Sequence, residues 1–386
     1  MSSPTQSAAS ARPREKFADR VRNFWQRVSE GRQLDDLWSQ FVADARASYG
    51  FYGRDIDWEE IQKLPGWRRP LHIARQFFWA LLLKLSPARR VLLLIGFVFM
   101  LLSSISLQFG DKAAFEIKAE AIAALFFLLL LCLELADKVT MKRDLEIARE
   151  IQSWLVPSKA PKVPGADIAF ATRPQNSVAG DYYDAFYPNL DAGPDGKLMV
   201  VIADVAGKSV PAALLMATLQ ASLRTIAGEG TALSGLVMRL NRYACAHSLE
   251  GRRFTTAVLS DYDPATRRMN YVNAGHNGPI LRRANGGIEK LEVGGLPLGI
   301  RSNAVYEIAA LDLKSGDALI YYTDGVVEAC NEDGKEFGED RWLDAIRALP
   351  DWNAQESLEF LMKRVDEYVG STRQSDDITC LVFRSQ

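Results

Sequence analysis

The sequence predicts an α+β fold in which antiparallel sheets are covered by helices, on the strength of two observations. Apolar runs of strand length follow one another through hairpin-length turns, such as Asp261–Asp263 and Ala284–Gly287. Helix-like runs lie among them without the strict strand–helix alternation of a parallel sheet. The predicted strands are Asp167–Ala171, Leu198–Ala203, Phe254–Tyr262, Met269–Asn273, Pro279–Arg282, Ala318–Tyr322 and Ile378–Phe383, and the predicted helices are Pro211–Ile226, Ala232–Ser248, Glu339–Ala348 and Gln355–Tyr368.

Length and composition exclude several classes of protein. A chain of 386 residues has room for two or three domains with a real core. Its 46 basic and 48 acidic residues give a net charge of −2, which argues against broad nucleic-acid binding. With only three histidines, a metal site would be built from oxygen ligands. The scattered cysteines favour a reducing compartment over a disulfide framework or a zinc site; they are Cys132, Cys245, Cys330 and Cys380.

The N-terminal region is predicted to have two parts. Residues 1–15 are small, polar and interrupted by proline, which predicts a disordered tail without the apolar centre of a secretory signal. Residues 16–90 predict a helical, juxtamembrane segment in the cytoplasm. From Trp67 to Arg90 this segment has six basic residues and no acid, and its apolar patch Phe77–Leu83 can lie along a membrane surface.

Residues 91–136 predict a transmembrane helical hairpin. Val91–Gln108 carries no charge over 18 residues, close to the roughly 20 needed to span a bilayer. Ala121–Leu133 is a second, shorter apolar run, for which a buried soluble helix is the alternative. Basic residues flank both runs on their outer sides, which places the N-terminus and everything after residue 137 in the cytoplasm of a protein of the cytoplasmic membrane.

Residues 137–157 predict a linker helix between the membrane hairpin and a domain that comprises residues 158–386. One apolar stripe runs along it, which is typical of a short coiled coil or of a helix packed on its own domain. A homodimer through residues 137–156, a signalling role and a plain tether all remain open. The stripe consists of Met141, Leu145, Ala148, Ile151 and Leu155.

At four places in residues 158–386, an apolar or tight-turn segment ends on aspartate. Taken singly, each has an ordinary explanation as a helix cap or a turn residue. Taken together, carboxylates at several strand ends can converge on one sheet edge, where divalent cations would relieve their repulsion. Oxygen ligands favour Mg²⁺ or Mn²⁺, and two such ions can activate a water and bind a phosphoryl oxygen. The residues are Asp181, Asp204, Asp324, Asp376 and Asp377.

Eight segments between about Met141 and the C-terminus form a recognisable series. They are A-R-E-I-Q-S-W-L-V-P (148–157), V-A-G-D-Y-Y-D-A-F (178–186), A-D-V-A-G-K-S-V-P-A-A-L-L-M (203–216), F-T-T-A (254–257), N-A-G-H-N-G-P (273–279), G-L-P-L-G-I (295–300), Y-T-D-G-V-V-E-A-C-N (322–331) and S-D-D-I-T (375–379). In their order and spacing the chain resembles the SpoIIE-type branch of the PPM (PP2C-like) protein serine/threonine phosphatases. The resemblance implies a PP2C-like antiparallel β-sandwich flanked by helices.

The resemblance also implies roles for individual residues. Asp204 would bridge two Mn²⁺ or Mg²⁺ ions, with the backbone carbonyl of Val205 as a further ligand, and Asp204 and Asp324 would be the catalytic carboxylates. The remaining metal ligands would be Asp181, Asp324 and Asp376. Asp377, Gly180 and Gly207 would support the site. His276 and Asn277 would shape a turn and the core and would have no acid or base role.

This resemblance implies hydrolysis of phosphoserine or phosphothreonine on a partner protein by a metal-activated water, without a covalent phosphoenzyme. The implied partner is a phosphorylated, STAS-like protein of the anti-sigma-antagonist type. Family members often have serine and glycine where this chain has Ala206 and Ala179, but neither change removes a carboxylate. The alternatives are a catalytically weak membrane scaffold with the same fold and a nucleotide cyclase, which the strand order disfavours.

Overall fold

The structure is a computed structural model that describes residue 65 and residues 69–102, 104–109, 113–189, 193, 196–248 and 253–386. The chain divides into two compact units, residues 1–137 and residues 138–386. The predicted disordered tail, and the predicted N-terminal segment as far as Arg68 apart from Pro65, lie outside the described residues.

In the first unit, helices α1 (Arg69–Lys84) and α2 (Pro87–Leu101) are followed by two short strands, β1 (Ser104–Phe109) and β2 (Ala113–Lys118), which pair antiparallel. The prediction that Val91–Gln108 is one helix is therefore wrong beyond Leu101. The cause lies in the sequence of β1, S-I-S-L-Q-F, in which polar and apolar residues alternate with the period of a strand.

Helix α3 (Ala119–Leu155) contains both the predicted second span and the predicted linker helix in 37 continuous residues. No glycine or proline interrupts it, and it ends just before Pro157, which disfavours helix at the preceding residue. The linker is thus the C-terminal part of a longer helix, about 55 Å from end to end at 1.5 Å per residue.

Helix α2 packs antiparallel on the first part of α3. Arg89, near the start of α2, forms ion pairs with Glu134 at 2.9 Å and Asp137 at 2.6 Å. At the middle of the pair the ring of Phe127 lies against Gly96, where a Cβ atom would be 2.8 Å from the ring. These two helices therefore form a helical hairpin that β1 and β2 connect.

The second unit consists of two sheets packed face to face. The first sheet has the order β10-β7-β6-β5-β4 with β11 also paired to β7, and the second has the order β3-β13-β12-β8-β9. All pairings are antiparallel except that of β10 with β7. The strands are β3 (Ala166–Arg173), β4 (Tyr182–Phe186), β5 (Leu198–Val205), β6 (Thr255–Asp263), β7 (Arg268–Ala274), β8 (Ile280–Arg282), β9 (Ile288–Lys290), β10 (Gly294–Gly295), β11 (Ala309–Asp312), β12 (Ala318–Tyr322) and β13 (Ile378–Ser385).

Helices cover the outer face of each sheet. Helices α4 (Ser209–Gly228) and α5 (Leu233–Ala246) pack on the first sheet, and α7 (Glu339–Arg347) and α8 (Ala354–Val369) pack on the second. A single turn of helix, α6 (Asp324–Val327), follows β12. Strand β5 is buried on both faces, because alternate residues point into the space between the sheets and toward the helices. The predicted sandwich flanked by helices is confirmed.

All seven predicted strands and all four predicted helices of this unit are present, with ends that differ by at most two residues. Five short elements are not in the prediction, namely β4, β9, β10, β11 and α6. Most of them are four residues long or less, too short for a periodic pattern to show.

Candidate active site

Strand pairing brings five aspartates to one edge of the sandwich. Asp204 lies near the end of β5, and Asp181 directly precedes the antiparallel neighbour β4. Asp324 follows the end of β12 by two residues, and Asp376 and Asp377 directly precede the antiparallel neighbour β13. The end of one strand and the start of its antiparallel neighbour share an edge, so the structure brings together all the carboxylates singled out in the sequence.

These carboxylates are close enough to perturb one another. Burial, and then repulsion from Asp324 and Asp376, raises the pKa of Asp204 to about 7. Burial and then the charge of Asp376 raise the pKa of Asp324 above its usual range. Burial and then the charge of Asp204 raise the pKa of Asp181 well above its usual range. Such shifts are expected where several acids share a partly desolvated site.

Asp181 belongs to the first sheet by position but is held by the second. Its Oδ2 accepts hydrogen bonds from the hydroxyl groups of Thr323 at 3.0 Å and Thr379 at 2.6 Å. Thr323 precedes Asp324, and Thr379 follows Asp377 by two residues, so both threonines come from the same segments as the other carboxylates. The side chain is buried, which makes these two bonds necessary to solvate it.

Asp377 supports the backbone of the turn that carries Asp181. Its two carboxylate oxygens accept hydrogen bonds from the backbone amides of Gln175 at 2.6 Å and Gly180 at 2.7 Å. Gly180 in turn lies so close to Val205 that a Cβ atom would be 3.2 Å from the Val205 carbonyl oxygen. A glycine therefore lets the turn approach the end of β5 closely.

One lysine already balances part of this negative charge. The Lys208 ammonium group forms an ion pair with Asp376 at 2.9 Å and donates to the Ser375 carbonyl at 2.9 Å. Lys208 is held there by a turn at Gly207, whose φ of +124° is a conformation that side chains other than glycine rarely adopt.

His276 connects the two sheets beside the carboxylates. Its Nδ1 lies 2.8 Å from the Thr256 hydroxyl on β6, opposite Asp204 in the strand register, and its Nε2 lies 3.1 Å from the Tyr322 carbonyl at the end of β12. Burial lowers the pKa of His276 to about 4, so the ring is neutral at pH 7. A carbonyl can only accept, so Nε2 donates to Tyr322 and Nδ1 accepts from Thr256. Both ring nitrogens are thus engaged.

The turn around His276 is closed by a side chain of β7. The Asn273 amide group donates to the His276 carbonyl at 2.9 Å and accepts from the His276 backbone amide at 2.7 Å. Asn277 follows and is half-buried. Both residues therefore lie in a turn at the sandwich edge.

The end of α3 contacts the turn that carries Asp181. Gln152 donates from Nε2 to the Ala179 carbonyl at 2.7 Å and accepts at Oε1 from the Ala179 amide at 2.9 Å. A cavity of about 300 Å³ lies beside this contact, and its lining includes Arg149, Pro157 and Asp181. The C-terminal part of α3 is thus bound to the site region by paired hydrogen bonds.

The sequence prediction missed a buried ion pair behind the site. Asp184 on β4 is fully buried and accepts two hydrogen bonds from Arg224 on α4, from Nε at 2.9 Å and from Nη2 at 3.0 Å. The Tyr182 hydroxyl donates to the same carboxylate at 2.6 Å. Arg224 is the only charged residue in α4, and that isolation in an apolar helix is a signal that could have identified it.

The donors at the sandwich edge suit a hard divalent cation. They are carboxylate and carbonyl oxygens, the ligands that Mg²⁺ and Mn²⁺ prefer. Burial, and then repulsion between neighbouring carboxylates, raises the pKa values of Asp204 and Asp324, and a bound cation would offset both effects. Within the part of the chain that the structure describes, no three His, Cys, Asp or Glu side chains are already arranged around one ion position. To bind a metal ion, Asp376 would have to give up its ion pair with Lys208.

The fold and its edge of carboxylates define a PP2C-like domain. Residues 194–386 match the family model described as Stage II sporulation protein E (SpoIIE). The chain belongs to this SpoIIE family, as the sequence resemblance indicated.

Relatives support the same assignment. The chain is 29% identical over 195 residues to phosphoserine phosphatase RsbU of Bacillus subtilis, covering 50% of this chain and 56% of RsbU. It is 27% identical over 284 residues to Protein IcfG of Synechocystis sp., covering 66% of this chain and 44% of IcfG. The chain thus spans about half the length of the curated relatives it matches.

Two solved structures share the fold. The SiaA-PP2C domain of Pseudomonas aeruginosa superposes with a TM-score of 0.56 at 21% identity, covering 65% of this chain and 99% of that domain. The PP2C phosphatase domain of SpoIIE from Bacillus subtilis, with a fragment of its regulatory domain, has a TM-score of 0.50 at 22% identity and covers 58% of this chain and 64% of that one. At these identities the likeness supports the fold alone.

Proposed function

We propose that residues 138–386 form a metal-dependent protein phosphatase that hydrolyses phosphoserine or phosphothreonine on a partner protein. The observation that carries this proposal is the convergence of Asp181, Asp204, Asp324 and Asp376 at one edge of a PP2C-like sandwich. The similarity to RsbU of Bacillus subtilis, a phosphoserine phosphatase, supports the same chemistry.

The metal site would hold two Mn²⁺ or Mg²⁺ ions. The residues that would hold them are Asp204 with the Val205 carbonyl, Asp181, Asp324 and Asp376. When bound, the ions supply an activated water and neutralise the charge of the phosphoryl group. Asp377 and the two threonines on Asp181 hold the ligands in place, because each fixes a segment that carries a carboxylate.

His276 has an architectural role in this proposal. Its ring is neutral and engaged at both nitrogens, so it has no free proton donor or acceptor for the substrate. It links β6, which pairs with the strand of Asp204, to the end of β12, which leads to Asp324. This agrees with the expected role of His276 in shaping the turn and the core.

Membrane attachment is part of the proposal. By length and composition, two helices among the described residues could cross a membrane, α3 (37 residues) and α4 (20 residues). Helix α4 packs on the first sheet, which leaves α3 as the candidate span, with α2 beside it. The apolar side chains of Leu125, Leu128 and Leu131 are more than half exposed on α3, as a lipid-facing surface would be. The basic flanks would place the phosphatase domain in the cytoplasm.

The partners remain proposals that depend on the resemblance. A phosphorylated STAS-like protein would be the substrate. A homodimer through residues 137–156 would cover the apolar side chains of Ile147, Ile151 and Trp154, which are exposed at successive turns of α3. Dimerisation would then act on the site through the contact of Gln152 with Ala179.

The test is release of phosphate from a phosphoserine protein by the full chain, with and without Mn²⁺, compared with the Asp204→Asn variant. We expect activity that requires the metal and is lost in the variant. Activity that survives the substitution would exclude the metal mechanism. A catalytically weak scaffold, the alternative, would bind the phosphorylated partner and release no phosphate at any Mn²⁺ concentration.

A further inference from the structure

Arg253 lies over the turn that follows Asp204. Its Nη1 atom is so close to Gly207 that a Cβ atom on that glycine would be 2.4 Å away. The same atom is 3.4 Å from the Ala206 carbonyl, a long contact near the limit of a hydrogen bond. The backbone of this region is fixed independently, because the Ala206 amide donates to the Phe254 carbonyl at 2.9 Å. The guanidinium group therefore lies beside Ala206 and Gly207, which follow Asp204 by two and three positions in the chain.

The donors of Arg253 are largely unused. A guanidinium group has five N–H donors, and among the described residues its side chain makes only the long contact with Ala206. Among the described residues, no ion pair joins Arg253 to a carboxylate. Lys208, on the same turn, is by contrast occupied by Asp376 and the Ser375 carbonyl. Arg253 is half-buried, so its free donors can reach a ligand from solvent.

We infer that Arg253 binds the phosphate group of the substrate, an inference that rests on the proposed phosphatase function. A phosphomonoester carries close to two negative charges and oxygens that match the planar fork of a guanidinium group. Asp204 lies near the end of β5, and Arg253 precedes by two residues the antiparallel neighbour β6, in which Thr255 pairs with Val205. A phosphate that reaches the carboxylate edge can thus meet Arg253 on the Gly207 side. Gly207 leaves room for the guanidinium group, and its φ of +124° is a conformation that other residues rarely adopt.

The experiment compares the full chain with Arg253→Met, which keeps the apolar stem, with Arg253→Lys, and with Arg347→Met as a matched control. Arg347 is an exposed arginine of α7 paired with Asp344. Three quantities are measured for each protein at constant ionic strength: the Kd of inorganic phosphate for the Mg²⁺-loaded chain by calorimetry, the KM and kcat for p-nitrophenyl phosphate, and the Kd of Mg²⁺.

For Arg253→Met we expect the Kd of phosphate and the KM to rise about tenfold or more, which is the usual effect of losing hydrogen bonds to a charged group. For Arg253→Lys, both quantities should lie between those of Arg253→Met and wild type, because lysine keeps the charge but lacks the planar guanidinium group. The Mg²⁺ affinity should stay unchanged in both variants, and Arg347→Met should match wild type in all three measurements.

Unchanged phosphate affinity and KM in Arg253→Met would overturn the inference while leaving the phosphatase function intact. A parallel loss of Mg²⁺ affinity would also overturn it, because Arg253 would then only hold the turn. If the wild-type chain binds phosphate but hydrolyses no phosphoester with Mn²⁺ or Mg²⁺, the proposed function fails and the contribution of Arg253 is read from phosphate binding alone. A wild-type chain that binds no phosphate contradicts both.

Discussion

Gln152 and Ala179 are joined by a pair of hydrogen bonds, at 2.7 Å to the Ala179 carbonyl and at 2.9 Å from its amide. The next residue, Gly180, donates its amide to Asp377, and Asp181 follows. A single side chain of α3 thus fixes the backbone of the turn that carries one of the proposed metal ligands. A shift of this helix end would move that turn unless both bonds broke.

The first prediction concerns this pair. Gln152→Leu keeps the size of the side chain but removes both hydrogen bonds and leaves the Ala179 backbone groups without their partner. Each lost hydrogen bond costs about 1 kcal/mol, so the free energy that holds the turn in place should fall by about 2 kcal/mol. We expect the Mn²⁺ concentration for half-maximal activity to rise roughly tenfold or more. Gln355→Leu, on the exposed face of α8, is the control. An unchanged Mn²⁺ requirement in Gln152→Leu would show that α3 serves only as a tether.

The second prediction concerns the pH dependence of the metal-free protein. The pKa of Asp204 is about 7 in the folded chain and near 3.8 when unfolded, and Asp181 and Asp324 shift in the same direction. Between these values the folded state binds more protons than the unfolded state, so stability falls as pH rises toward 7. Thermal unfolding in EDTA should show a higher Tm at pH 5.5 than at pH 7.5.

In Asp204→Asn the slope of Tm against pH should be shallower, because one of the raised groups is gone. Mg²⁺ should reverse the trend in the wild-type chain, since the ions bind the deprotonated carboxylates. A metal-free Tm that increases from pH 5.5 to 7.5 would contradict the assignment of a repulsive cluster.

The third prediction concerns the ion pair between Arg224 and Asp184. Arg224→Met leaves a fully buried carboxylate with only the Tyr182 hydroxyl as a described side-chain partner. Breaking a buried pair costs several kcal/mol, and because Arg224 is partly exposed we expect about 2 kcal/mol. In a unit of this size that lowers the Tm by roughly 4–8 °C.

Two variants test whether the pairing itself is responsible. Arg239→Met breaks an exposed pair with Glu229 and should change the Tm by about 2 °C at most. Asp184→Asn combined with Arg224→Met should recover part of the loss, since no buried charge remains. Equal effects of Arg224→Met and Arg239→Met would contradict a special role for the buried pair.

The fourth prediction concerns Lys208 as a competitor of the metal. Its ammonium group is 2.9 Å from Asp376, so an ion that binds Asp376 must displace it. Lys208→Met should therefore increase the affinity for Mn²⁺ by about three- to tenfold, measured by calorimetry. The same change should lower the stability of the metal-free chain, because Asp376 loses its partner. Lys363→Met, from an exposed pair on α8, is the control; weaker Mn²⁺ binding in Lys208→Met would show that Lys208 helps to build the site.

The sheets and their covering helices were predictable because their apolar patterns are long. Strand β5 is apolar throughout since both of its faces are buried, and α8 has a clear amphipathic pattern. The convergence of Asp204, Asp324, Asp376 and Asp377 was also predictable, because each lies next to a predicted strand. Asp181 was not placed in this way, because β4 was not predicted, and its role came from the family resemblance. The end of the first predicted span could not be predicted. A strand in which polar and apolar residues alternate follows the apolar helix there, and no charged residue separates the two.

The contacts within the site depend on pairings between distant parts of the chain. Thr379 reaches Asp181 across 198 positions, and His276 reaches Tyr322 across 46. No local pattern encodes such distances, so the threonines, the role of Gln152 and the position of Arg253 become visible only in the folded chain. Ala179 stands where family members often have glycine. It contacts Gln152 only through its own backbone atoms, so this difference does not affect the contact.

The hydrogen bonds at both nitrogens of the His276 ring make this ring a reporter for nuclear magnetic resonance spectroscopy. A ring N–H that is bound to a carbonyl exchanges more slowly than a free one, so it should give a separate proton resonance far downfield. Its two partners, Thr256 and the Tyr322 carbonyl, belong to different sheets. The frequency of that resonance would therefore report the spacing of the two sheets in solution, without any label introduced into the protein.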